Sequence, residues 1–225
     1  MGRKIVFPSV ETANEDGLVA VGGDFELDTI LTAYRNGIFP WPISSYPLNL
    51  NMPNTWFAPD PRGILKFKNL HVSTSFKKFL KKKSFEVRFN TSFEEVIENC
   101  ALMKRKDQPG TWITPALKEA YIKLFHAGFA YSAETWIEDQ LVGGLYGVSI
   151  GSFFSGESMF TKEDNAGKTA LYGLITLLQD KGIEWLDTQM VTEVVKQFGG
   201  KYVPRPVFMK LLGEVDWTKQ RSDFF

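Results

Sequence analysis

Cysteine is almost missing from this chain: its 225 residues include one, Cys100, so no internal disulfide can form and a reducing compartment suits it. Histidine is nearly as scarce, with two. His71 and His126 stand far apart and neither has metal-ligand company, so no metal is expected. His126 sits at a helix end, where a contact with the C-terminal dipole suits it. Neither sign of charge is in excess, since 26 Lys and Arg balance 26 Asp and Glu, and any nucleic-acid surface must be a local patch. No apolar run approaches the ~20 residues needed to span a bilayer. The opening MGRKIVFPSVETANEDG holds none long enough for a signal peptide, so the cytoplasm is the expected location. Two phosphate-binding patterns also fall short. GSFFSGES (Gly151 to Ser158) has Walker-A glycine spacing, but Glu157 stands where the lysine belongs and would repel phosphate. VGGD lacks the third glycine of a dinucleotide fingerprint. With no metal cluster and no nucleophile–histidine pair evident, an enzyme of this sequence should run a reaction needing neither. Attack of an amine on an already activated ester is one.

What is present fits a soluble globular protein: 44% hydrophobic and 23% charged residues, in a length suited to one large domain or one with a small companion. GLVAVGG (Gly17 to Gly23) reads as a strand ended by paired glycines. A helix is expected from Leu27 to Asn36, with Ile30, Ala33 and Tyr34 on one face and Gly37 as its stop. A Pro- and Asn-rich loop then runs to Pro61, which places a domain junction near Arg62. Helices are expected over Thr74 to Lys83, behind a Ser92–Glu95 capping box, and from an N-cap at Thr114 with Pro115 first in the helix. Cys100 falls on an inward face, and so does Tyr121. Between Phe129 and Phe160 the period changes to that of strands, giving an antiparallel meander. A helix from Asn165 to Lys181, a strand at Ile183 to Gln189 and two short helices complete a mixed α/β domain.

From Lys66 to Lys83 there are seven lysines and no acidic residue. Lys77, Lys78, Lys81, Lys82 and Lys83 lie on or beside one short helix whose apolar face is already assigned to the core. They form either an ordinary solvated face or a contact for a phosphate backbone.

Several runs, in order, resemble the leucyl/phenylalanyl-tRNA–protein transferase family: GLVAVGGD, AYRNGIFPW, WFAPDPR, GTWIT, LVGGLYGV, GESMF, NAGKTAL and LDTQ. Each alone is weak, whereas GIFPW, PDPR, GTWIT and GESMF together are specific. The resemblance implies a small N-terminal domain (1–62) and a catalytic domain (63–225) with an acetyltransferase-like (GNAT) fold. The implied reaction moves Leu, Phe or Met from aminoacyl-tRNA to an N-terminal Arg or Lys of an acceptor protein, marking it for degradation. No cofactor is expected: the nearest match to a coenzyme A pyrophosphate loop, Gln179 to Glu184, ends in Glu. The chain is expected to work as a monomer, away from membranes. It departs from the family in a longer loop between Pro42 and Thr55, and at Val194, where the family usually has His. A non-catalytic RNA-binding module on the same scaffold is the competing reading.

Asp187 and Gln189 alternate on one strand and so share a face. They are either ordinary strand-end polar residues or a pair that positions the attacking amine. In the second case the Gln189 carbonyl accepts its hydrogen bond, and Asp187 orients the Gln or helps carry charge. The resemblance assigns Trp41 and Trp112 to the 3′-terminal adenosine. It assigns Leu145, Phe154, Met159 and Leu171 to an apolar pocket for the transferred side chain, although their periodicity alone makes them core. Glu157 is the candidate to hold a cationic substrate group.

Overall fold

Paired glycines do end the first strand. In the computed structural model, which describes residues 6–42, 54–103 and 111–219, β1 (Leu18–Val21) stops at Gly22 and Gly23, with φ of 98° and 79°. Only glycine adopts such backbone without strain. β1, β2 (Phe39–Pro40) and β3 (Thr55–Phe57) form an antiparallel sheet in the order β1-β3-β2. The helix α1 (Leu27–Arg35) buries Ile30, Leu31, Ala33 and Tyr34. Positions 43–53, most of the long loop, and Gly110 of GTWIT lie outside the described residues.

The larger sheet has seven strands: β4 (Arg62–Lys66), β5 (Glu86–Phe89), β6 (Ala130–Ile137), β7 (Gln140–Ile150), β8 (Phe153–Thr161), β9 (Trp185–Gln189) and β10 (Lys201–Val203). Their order is β10-β4-β9-β8-β7-β6-β5. The expected meander is β6-β7-β8. Every neighbouring pair is antiparallel except β8 and β9. Parallel neighbours need a crossover, and α5 (Ala166–Asp180) supplies it. Its first turn presses on β7 so closely that a Cβ on Gly143 would lie 2.5 Å from that of Ala166. The remaining helices are α2 (Thr74–Lys82), α3 (Phe93–Leu102), α4 (Pro115–His126), α6 (Glu193–Gln197) and α7 (Arg205–Gly213). This is the mixed α/β architecture expected, with a small N-terminal sheet, a larger seven-stranded sheet, and the expected order of meander, helix and strand.

One apolar core joins α1 and the three-stranded sheet to α3, α4 and one face of the large sheet; a second lies under α5 and α2. Thr114 caps α4 as expected, its Oγ1 accepting from the Leu117 N–H at 3.2 Å. The cap of α3 differs. Ser92 makes no side-chain bond to the backbone of α3. Instead the buried carboxylate of Glu134 accepts from the N–H groups of Thr91 and Ser92, at 3.0 and 3.1 Å, and from Ser132 Oγ at 2.7 Å. In a capping box the N–H of Ser92 is taken by the Glu95 side chain; here its acceptor arrives instead from a strand about forty residues away. Among the described residues no helix is long and apolar enough to cross a membrane.

Candidate active site

β8 and β9 meet at a single register, Ser155 opposite Asp187. Both strands then contribute side chains to a cavity of about 650 Å³. Along β8 the pairing with β7 slips: Tyr146 faces Ser158, but Gly147 faces Gly156, so Glu157 has no partner on β7. An extra residue of this kind re-aims its side chain, and here it brings Glu157 to the cavity wall. Leu145, Met159, Leu171, Leu174 and Leu186 give it an apolar wall, Trp41, Trp112 and Phe39 add aromatic surface, and Glu157, Thr188 and Gln189 supply a polar end.

Behind that polar end lies a chain of hydrogen bonds. Asp187, fully buried, accepts from Arg62 Nε at 2.9 Å and Nη2 at 2.7 Å. Its Oδ1 also accepts the Gln189 backbone N–H at 2.9 Å. The Arg62 guanidinium lies 4.6 Å from the centres of both the Phe39 and Phe208 rings, and Nη1 donates to Gly37 O at 3.0 Å. Aromatic faces on both sides and a bidentate carboxylate make such burial of an arginine tolerable. Gln189 has a left-handed backbone, φ 59°, which is uncommon outside glycine. The Asp187 bond to its N–H helps to hold it. Both protons of its side-chain amide are engaged, by Glu157 Oε1 at 2.9 Å and Ser155 Oγ at 3.2 Å. Its carbonyl oxygen accepts none of the hydrogen bonds found among the described residues.

Glu157 Oε2 accepts from Tyr121 Oη at 2.9 Å, and Tyr121 Oη is 2.9 Å from Tyr34 Oη. A hydroxyl has one proton. With that of Tyr121 on the carboxylate, Tyr34 donates to Tyr121. Burial pushes the Glu157 carboxyl pKa up, against the opposing pull of the neighbouring Tyr34, Gln189, Tyr121 and Ser155 side chains. Burial also raises both tyrosine hydroxyls well above their usual value, helped by the charge of Glu157.

The structure therefore gathers Trp41, Trp112, Leu145, Glu157, Met159, Leu171 and Gln189 around one cavity, with Asp187 directly behind Gln189 rather than on the wall. Val194, at the position of the family histidine, also lines it. Phe154 is the exception. It is 1% exposed, packs in the second core and does not line the cavity, although the register of β7 against β8 puts it on the same face as Met159. Lys77, Lys78, Lys81, Lys82 and Lys83 are exposed on or just past α2, away from the cavity lining. The cluster is free of acid in sequence but not in space: Lys83 Nζ lies 3.8 Å from Glu163. Sequence reasoning missed Arg62, Ser155, Tyr34 and Tyr121 as site residues. An arginine opening the apolar run RGILK, and tyrosines on inward helix faces whose hydroxyls need partners, were the available signals.

An apolar wall with a few converging polar groups is the lining of a site for a substrate, and this α/β chain is a transferase. More specifically, it belongs to the leucyl/phenylalanyl-tRNA protein transferase family. The family model matches residues 64–213, and the model of the family's N-terminal domain matches residues 23–60. The leucyl/phenylalanyl-tRNA–protein transferase of Flavobacterium johnsoniae is 42% identical over 210 residues, covering 93% of this chain and 96% of the relative. That of Magnetococcus marinus is 44% identical over 209 residues, covering 91% and 86%. That of Syntrophus aciditrophicus is 43% identical over 212 residues, covering 94% and 86%. Among solved structures, L-PGS from Bacillus licheniformis aligns with a TM-score of 0.45 at 11% identity, over 71% of this chain and 66% of that one.

Proposed function

We propose that this enzyme transfers Leu, Phe or Met from aminoacyl-tRNA to the N-terminal Arg or Lys of acceptor proteins, in the cytoplasm and as a monomer, and so marks them for degradation. The observation that carries this reading is the unengaged carbonyl of Gln189 at the polar end of an apolar cavity. Leu145, Met159 and Leu171 receive the transferred side chain. Trp41 and Trp112 take the terminal adenosine, and stacking on such rings contributes about 1–3 kcal/mol per base. The exposed lysines of α2 meet tRNA phosphate. Residues 1–62 act as a small N-terminal domain and 63–225 as the catalytic one, a division supported by the end of the small sheet at Phe57 and the start of β4 at Arg62.

In the reaction the amine nitrogen bonds to the ester carbonyl carbon, the bond from that carbon to the tRNA ribose oxygen breaks, and the ribose oxygen leaves with a proton originating on the amine. The ester is already activated. The amine, with an ordinary pKa of about 7.7–8.0, is roughly a tenth or more neutral at pH 7. Positioning then does much of the work, since well-oriented groups reach effective molarities of about 10⁵–10⁸ M. Gln189 O accepts an amine N–H as nitrogen approaches carbon, and Asp187 holds Gln189 in place. Glu157 faces the cationic side of the acceptor. The test is incubation with tRNA carrying labelled Leu, Phe or Met and a protein beginning in Arg or Lys. Label should appear in the acceptor; its absence with every donor overturns the reading.

A further inference from the structure

We propose that a second groove, bounded by the start of α2, the first turn of α5 and the short helix α6, holds the phosphodiester backbone of the single-stranded 3′ end of the tRNA. This rests on the aminoacyl-tRNA reading above and extends it to a site away from the chemistry. The groove has a volume of about 770 Å³, and His71, Ser73, Ser75, Lys168 and Lys196 are among its lining. Glu193 lines both this groove and the cavity of the candidate active site, so the two adjoin at α6. A strand whose last nucleotide sits between Trp41 and Trp112 has to leave the cavity along the surface, and this groove adjoins it.

Its charge selects the occupant. Lys168 and Lys196 form no ion pair among the described residues. Lys77 and Lys78 are exposed on the helix whose start supplies Ser73 and Ser75. The acidic member, Glu193, accepts from Gln197 Nε2 at 3.3 Å. An acceptor polypeptide beginning with Arg or Lys would meet two lysines here and be repelled; a chain of phosphates would be attracted and would release its counterions. The groove also holds Phe79, an aromatic that keeps part of its surface in solvent, beside the buried Phe76 and Phe198. Basic groups along a backbone with an aromatic beside them are the usual means of holding single strands without reading their sequence.

The test replaces both lysines, Lys168→Gln with Lys196→Gln, in the full chain. Binding of deacylated tRNA is measured across a salt series, and transfer is measured from aminoacyl-tRNA and from phenylalanyl-adenosine. The dissociation constant for tRNA should rise roughly tenfold, and the salt slope should fall by about 1.4, the value for two single-strand phosphate contacts. Transfer from phenylalanyl-adenosine should stay at the wild-type rate. Unchanged tRNA affinity and slope overturn the proposal. A raised KM for the acceptor protein with tRNA affinity intact also overturns it, and assigns the groove to the acceptor polypeptide. Because binding is read directly, wild-type protein that binds tRNA yet transfers nothing would count against the proposed reaction and not against the groove.

Discussion

Arg62 closes on Asp187 with two parallel hydrogen bonds, Nε to Oδ1 at 2.9 Å and Nη2 to Oδ2 at 2.7 Å, and the two side chains are 2% and 0% exposed. The Gln189 N–H is also on Oδ1, and Asp187 is buried behind the cavity lining, so neither of its oxygens faces a substrate. On the proposed reading Asp187 is a positioning residue, and Arg62 is what permits a carboxylate to sit there. Removing one partner of a buried pair leaves the other charge uncompensated and costs about 3–5 kcal/mol. Arg62→Met should therefore lose that much stability in urea denaturation. Arg62→Lys keeps a charge but not the planar fork and should fall between. A loss under about 1 kcal/mol for Arg62→Met would mean that Asp187 finds another partner.

Gln189 can be tested apart from folding because its backbone conformation limits what replaces it. Gln189→Ala carries a strain similar to the wild type's at φ 59°, and removes the carbonyl proposed to meet the amine. Transfer should slow about 10- to 100-fold, since a hydrogen bond to a charged group contributes about 1.5–3 kcal/mol. The affinity for tRNA should hardly change. Gln189→Asn suits left-handed backbone better and keeps an amide, but one methylene short. It should be at least as stable as Gln189→Ala and still slow, which separates the amide's presence from its placement. A normal rate in either variant would make the residue structural.

Much of this was legible in the sequence, for local reasons. The helix from Leu27 was expected to reach Asn36 and ends at Arg35; that from Asn165 to Lys181 is found at Ala166–Asp180. Caps, glycine stops and apolar spacing are short-range signals. The strands β4, β5 and β10 were not anticipated, because runs of three to five residues leave little period to read, whether at the sheet's edges, as for β5 and β10, or buried between neighbours, as for β4. Arg62 and Asp187 are 125 residues apart and Tyr34 and Tyr121 are 87 apart, so nothing near either member announces the other. The slip that frees Glu157 depends on the register of β7 against β8, which composition does not encode. The cavity residues themselves looked like core, and Phe154 is core, whereas Leu145 and Met159, opposite each other across β7 and β8, are wall.

Glu157 gives the site a pH dependence. Its folded pKa is raised, first by desolvation, so the folded protein holds that proton more tightly than the unfolded chain. The resulting stabilisation is complete below the ordinary glutamate value, about 4.3, and is lost as pH rises through the raised value. Glu157→Gln cannot titrate. The stability of wild type relative to this variant should therefore decline across that window. The slope is at most about 1.4 kcal/mol per pH unit, and less because solvent reaches the cavity. The KM for an acceptor beginning in Arg should fall over the same window in wild type, as the carboxylate becomes charged, and should stay flat in Glu157→Gln. Parallel stability curves for the two proteins would show that Glu157 ionises as it does in water.

Met159 and Phe154 stand near each other in sequence and should behave oppositely. Met159 lines the cavity, so Met159→Ala deepens the wall against which the transferred side chain rests. The larger Phe donor should gain on Leu, by about tenfold in the ratio of kcat/KM values, within the range that one or two methylenes contribute in an apolar pocket. Phe154 is packed in the second core. Phe154→Ala should leave a void there and cost about 3–5 kcal/mol of stability, while every donor that still reacts keeps its rank. Competition between labelled Leu-tRNA and Phe-tRNA, run beside a denaturation curve for each variant, reads both quantities. The wall assignment fails if Met159→Ala slows all donors in equal proportion, because a residue that touches the transferred side chain cannot be shortened without favouring one shape over another.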